Sequence, residues 1–129
     1  MYGFDIRVSD DFETAVARVS QALQAEGFGV LSDIDVQATL EKRLGVQGRP
    51  YRILGACNPT LAHKAIGAEP DIGLLLPCNV VVREAEDGGV VVAFMDPAEV
   101  LKLVQRPELE ALGGEVKSRL ERVRDALQS

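Results

Sequence analysis

The last third of the chain sets the strongest constraint on the fold. Leu109, Leu112, Val116, Leu120, Val123 and Leu127 recur at alternating spacings of three and four residues, which gathers their side chains into one stripe along a helix. Tertiary packing of such a stripe, rather than helix propensity, supplies most of its stability, so it must lie on a sheet or on a partner. Lys117, Arg119, Arg122 and Arg124 are interleaved with Glu115, Glu121 and Asp125, as expected of a solvated face carrying ion pairs. Gly113-Gly114 interrupts the run, and a kink is expected there.

The rest of the chain supplies a sheet. Tyr2, Phe4, Ile6 and Val8 alternate with polar or small residues, the period of two that marks a strand. Ser9 and Asp10 offer helix caps, Asp10 and Glu13 form a capping box, and Phe12, Val16, Val19 and Leu23 continue at helical spacing until Gly27. Phe28, Val30, Ser32 and Ile34 predict a second strand. Asp35 caps a short helix striped by Val36, Leu40 and Leu44, and Gly45 ends it. A loop to Pro50 leads into a strand from Tyr51 to Cys57, and Asn58-Pro59 opens a helix running towards Gly67. Ile72 to Val82 is apolar on both parities, which predicts a strand covered on both faces or placed at an interface between subunits. Pro77 argues for an edge or a bulge within it. Asp87-Gly88-Gly89 turns the chain into a strand from Val90 to Met95, and Asp96-Pro97 with Glu99 starts another helix. Strands clustered in this order fit an α+β fold, an antiparallel sheet covered by helices.

Length and charge narrow the classes of function. A chain of 129 residues builds one core, so a single domain over residues 1–129 is expected. The formal charge of −6 removes the attraction to phosphate on which nonspecific nucleic-acid binding depends, and no nucleic-acid partner is expected. No apolar run approaches the ~20 residues that cross a bilayer as a helix, and the N-terminus shows no secretory signal. A cytoplasmic protein without a membrane partner is the expectation, its two cysteines kept reduced.

The chemistry-bearing residues are few. Ala56-Cys57-Asn58 and Pro77-Cys78-Asn79 are similar tripeptides, and their two thiols are candidates to face each other. Cys57 lies just before a helix N-terminus, where free amides and the helix dipole stabilise a thiolate; the competing reading is that both cysteines are small apolar core residues. His63 is the only histidine and falls on the polar side of its helix, opposite Leu61, Ala62, Ala65 and Ile66. With two thiols, no CxxC and no second histidine, no metal site is expected, and no cofactor. Asp33, Asp35 and Glu41 are explained by capping and solvation. Asn58 and Asn79 are the only asparagines; each adjoins a cysteine and can fix a polar ligand, or serve as a cap and a bulge residue.

Three segments together resemble a known family: Gly27-Phe28-Gly29-Val30-Leu31, Tyr51 through Pro59 with its Cys-Asn-Pro, and Gly73 through Val82 with its Leu-Pro-Cys, followed by Asp96-Pro97. They are similar to the bacterial and archaeal domain of unknown function numbered 302, over essentially the whole chain. The resemblance implies a TATA-binding-protein-like α+β architecture with a β-α-β(4)-α core, a curved antiparallel sheet crossed by a long C-terminal helix, and a homodimer. It implies no DNA binding, since a shared fold does not carry function, and it assigns no activity, so Cys57 and Cys78 are catalytic candidates on their own chemistry alone. Three readings of function remain open. The first is a non-enzymatic binding module whose concave sheet and helix hold a small ligand, with Tyr51, Arg52, Asn58 and Asn79 as polar contacts. The second is a thiol-based redox or sulfur-handling protein using Cys57 and Cys78. The third is a structural or regulatory dimer acting through protein partners.

Overall fold

The computed structural model describes residues 1–128. Strands Gly3–Val8 (β1), Gly29–Asp35 (β2), Tyr51–Cys57 (β3), Cys78–Glu84 (β4) and Val90–Met95 (β5) form one five-stranded sheet in the order β1-β5-β4-β3-β2. Every neighbouring pair is antiparallel. The first two strands are therefore the two edges, and the helix between them, Phe12–Ala25 (α1), has to traverse the sheet. It does so over β4. The long helix Pro107–Leu127 (α5) lies beside α1 and reaches β1. The architecture is thus α+β, with the C-terminal helix placed as its stripe requires.

Strand alternation sends Leu54, Ala56, Cys78, Val80, Val82, Val90, Val92 and Phe94 to one face, where they are buried against Val16, Val19 and Leu23 of α1 and Val116, Leu120, Val123 and Leu127 of α5. Each such aliphatic side chain taken fully out of water contributes about 1.5–3 kcal/mol. The opposite face carries Ile34, which is exposed, and Ile53, Val81 and Ala93, which are half-buried. A second apolar cluster joins Ala65, Ile72, Leu101 and Leu109. It gathers helix Pro59–Ala68 (α3), a 3-10 segment at Pro70–Leu75, helix Pro97–Leu101 (α4) and the first turns of α5. Helix Val36–Leu44 (α2) buries no residue, and Leu40 and Leu44 of its stripe are exposed.

Four expectations change. The cap of α1 is Asp11, whose carboxylate accepts from the Thr14 N–H at 2.8 Å; Asp10 instead pairs with Arg18. The alternation of β2 is broken by a bulge between Val30 and Ser32. The extra residue, Leu31, is 72% exposed, and Ile34 lies on the face opposite Val30 because a one-residue insertion flips every side chain after it. The apolar run from Ile72 is not one strand. Pro70–Leu75 winds as a 3-10 helix, the Leu76-Pro77 peptide bond is cis, and β4 begins only at Cys78. The doubled parity reflects a helical turn packed in the second cluster joined to a central strand.

Finally, α5 runs through Gly113-Gly114 without a break. Gly113 is buried where α5 crosses α4: a Cβ there would meet Pro97 O at 2.9 Å and Ala98 Cα at 3.2 Å, whereas one at Gly114 would meet nothing within 4 Å. The two glycines thus have opposite expected responses. Gly114→Ala should raise stability by about 1 kcal/mol through helix propensity alone. Gly113→Ala should lower it by about 1–3 kcal/mol, because backbone must move to admit the methyl group. Urea unfolding of the two variants checks this; equal effects would show that the crossing is not tight.

A cavity between two apolar clusters

The two clusters meet at one end of the sheet, where β3 and β5 finish and β2 and β4 begin. The seam between them forms a cavity of about 420 Å³ that is partly open to solvent. Its sheet wall is Phe28, Ala56, Cys57, Cys78 and Met95; its helical walls are Leu61, Ala62, Ala65 and Ile66 of α3, Pro97 and Leu101 of α4, and Leu112 and Val116 of α5; Gly73, Leu75, Leu76 and Pro77 close another side. No lining residue carries a charge, and the polar contribution comes from Ser32, Asn58 and the two thiols.

Local sequence places each of these polar groups. Asn58 caps α3 as its position before Pro59 predicts, its Oδ1 accepting from the Leu61 N–H at 3.2 Å. That leaves the amide Nδ2 as a donor. Nδ2 also lies where a Cβ on Gly27 would come within 3.0 Å, and Gly27 adopts φ +86°, so glycine is doubly required at this turn. The bulge in β2 turns Ser32 across β3. Ser32 and Pro77 both stand over Gly55, where a Cβ would fall 2.9 Å from Pro77 Cγ and closer still to Ser32 Oγ. Gly55 is therefore the gap through which the Leu76-Pro77 segment docks on the sheet.

The two cysteines arrive at the cavity from adjacent strands. Ala56 stands directly opposite Cys78 in the β3–β4 ladder, and Cys57 comes next at the end of β3. They are not disulfide-bonded: both are free thiols, Cys57 half-exposed and Cys78 buried. Burial pushes the Cys78 thiol up to about 11, and repulsion from Cys57 adds to the shift. Cys78 is accordingly a neutral, apolar wall at physiological pH.

The α4 wall is held by Asp96, which caps α4 through the Ala98 and Glu99 N–H groups at 3.0 and 3.2 Å and pairs with Lys117 Nζ at 2.9 Å. Burial alone would push its carboxyl up. The hydrogen bond and charge of Lys117, with the two backbone N–H groups, outweigh it and hold the carboxyl below its ordinary value. Arg119 and Arg122 of α5 donate to the carbonyl oxygen and carboxylate of Glu26, at 3.0 and 2.9 Å, joining α5 to the end of α1.

Of the residues singled out from the sequence, the cavity brings together Cys57, Cys78 and Asn58 only. Tyr51 and Arg52 lie at the other end of β3, where Arg52 Nε donates to Asp33 Oδ1 at 2.7 Å, its Nη2 donates to the second oxygen, and Glu13 stands at 3.6 Å. Asn79 is exposed and lines a separate concavity of about 450 Å³ with Tyr2, Val81 and Ala93. His63 is exposed on α3. Among the described residues no group of three or more His, Cys, Asp or Glu is arranged to hold a metal ion, and no helix is long and apolar enough to cross a membrane. Ser32 and the walls from α4 and α5 are not visible as site residues in the sequence. The bulge at Leu31 leaves no compositional trace, and the other walls read as ordinary core positions.

The two thiols should behave differently towards iodoacetamide. At pH 7 a thiol titrating near 11 is thiolate in only about one molecule in ten thousand, so native labelling should stop at one equivalent. Cys57→Ser should abolish it and Cys78→Ser should leave it intact. Cys78 should react only as the pH is raised towards 11 or on unfolding. Two equivalents at pH 7 in folded protein would contradict this placement.

Comparison with known proteins agrees with the architecture. The family model "Domain of unknown function DUF302" matches residues 4–127. The crystal structure of an uncharacterized conserved DUF302 protein from Bacillus stearothermophilus superposes with a TM-score of 0.92 at 26% identity, covering 99% of each chain. No curated protein matches the chain. With nearly its whole length matched by the family model, the chain belongs to the DUF302 family.

Proposed function

We propose that this protein is a non-enzymatic binding module for a small, largely apolar molecule held in the cavity at the end of the sheet. The observation that carries the reading is the wall itself: about 420 Å³ bounded by aliphatic and aromatic side chains with no charged residue, within the size range of small-molecule sites. Polar contact falls to Asn58, with Ser32 and Cys57 beside it. Arg52 is engaged by Asp33 and Glu13 at the far end of β3, and Asn79 faces another concavity, so neither contributes to this site. Binding rather than turnover is supported by a lining without Asp, Glu, His or Lys to move a proton. A second reading, thiol chemistry, is favoured by one specific feature: Cys57 is half-exposed and lies on the same wall.

The binding reading is tested with N-phenylnaphthylamine, a neutral dye whose emission rises in apolar surroundings. Saturable enhancement is expected for the native protein. Ala62→Phe, which places a ring into the cavity from α3, should weaken binding by about tenfold or more, corresponding to about 1.4 kcal/mol. His63→Phe, on the exposed side of the same helix, should leave it unchanged. A dye response that is absent, or equally lost in both variants, would sink the reading.

A further inference from the structure

We propose that Cys57 is an acylation site: the protein takes an aliphatic acyl group from an acyl thioester onto the Cys57 sulfur and seats the hydrocarbon chain in the adjoining cavity. The inference deepens the apolar-ligand reading and rests on it, by naming the chemical class of the ligand and the atom that holds it.

The wall selects the ligand's head. An aliphatic carboxylate would find no cation in the lining to pair with its charge. The carbonyl of a thioester is neutral and needs only a hydrogen-bond donor. Asn58, the next residue after Cys57, has its Oδ1 committed to the Leu61 N–H and its Nδ2 free to donate. Asn58 lines the same cavity as Cys57, and its side-chain amide is a donor of that lining for a carbonyl oxygen on which charge develops during exchange.

The two thiols also divide the roles. Cys78 is only 7% exposed and lines the same cavity, a weakly polar group that burial keeps protonated. It supplies soft wall surface and does not compete as a nucleophile. Cys57 is the thiol that a molecule entering from solvent meets. Leu31 and Ile66, 72% and 48% exposed, are lining residues that reach solvent, so the way in is itself apolar and suited to a hydrocarbon chain.

The exchange is balanced without an oxidant or a cofactor. The Cys57 sulfur, as thiolate, attacks the thioester carbonyl; the bond from the carbonyl carbon to the donor's sulfur breaks and a new bond to Cys57 forms. The proton lost from Cys57 ends on the departing donor thiol. One thioester replaces another, so the equilibrium is set by what surrounds the chain, and burial of methylene groups favours the protein-bound form. With no general base on the wall, the reaction is a stoichiometric self-acylation.

The test incubates the folded protein with acetyl, octanoyl and palmitoyl coenzyme A and reads intact mass, with the dye titration run on the same preparation. One acyl group should be gained per chain, released by hydroxylamine, mapped to the Cys57 peptide, absent in Cys57→Ser and in protein blocked with iodoacetamide, and retained in His63→Phe, on the exposed side of α3. The octanoyl or palmitoyl reaction should exceed the acetyl reaction by about tenfold or more in rate, and Ala62→Phe should remove that advantage, a barrier difference corresponding to a tenfold rate ratio. Saturable dye binding without acylation, a rate indifferent to chain length, or acylation of Cys78 would overturn the inference and leave the apolar-ligand reading standing. Loss of both dye binding and acylation would overturn both.

Discussion

The sheet has one face that must be kept from water, and the chain order restricts how this can be done. Because β1 and β2 occupy opposite edges, α1 is forced across the middle of the sheet, and α5 takes the place alongside it. Two helices side by side cover Val80, Val82, Val92 and Phe94 completely. At the end of the sheet where β3 finishes and β4 begins, α5 contributes only its first turns, through Leu109, Leu112 and Val116. The rest of that end is roofed by α3, the 3-10 segment and α4, which pack with Leu109 around a small core of Ala65, Ile72 and Leu101. Protein interiors are close-packed within a cluster, and the space left over lies where two clusters built on different elements meet.

Fixed points keep that seam from collapsing or opening. Gly113 lets α5 approach the backbone of Pro97 and Ala98; Asp96 caps α4 and holds Lys117 of α5; Gly55 admits Ser32 and Pro77 onto the outer side of β3. Arg119 and Arg122 fasten α5 to Glu26, next to the Gly27 turn that faces Asn58. Each contact is polar or a backbone approach rather than apolar filling. The cavity therefore has a defined wall without having its volume consumed, which is what an apolar-ligand site requires.

Much of this fold is legible in the residues because its signals are local. The caps at Asp35 and Asn58, the Asp87-Gly88-Gly89 turn and the α5 stripe each state an element within a few residues. The parts that sequence misplaces are those decided by tertiary contact. Asp10 and Asp11 are equivalent as caps until Arg18 claims the first. Ile72 to Val82 reads as strand throughout, because a 3-10 turn packed in the second cluster and a central strand are equally apolar. Propensity alone predicts a kink at Gly113-Gly114, while Gly113 is there for a helix crossing. The cysteines and Asn58 stand out by their repeated tripeptides, and the structure does bring them to one cavity. Tyr51 and Arg52 do not join them, since seven residues of extended strand carry the two ends of β3 about 20 Å apart.

The central claim is that the seam between the clusters receives an apolar molecule, and its most direct test is an amide chemical-shift titration of isotope-labelled protein with a neutral aliphatic alcohol such as octanol. The account predicts saturable shifts confined to Cys57 through Ile66 and Leu75 through Cys78, with smaller changes at Leu112 and Val116 and none at Tyr51 or Arg52. Shifts centred on Ile34, Ile53, Val81 and Ala93, the opposite face of the sheet, or no saturable shift at all, would contradict it.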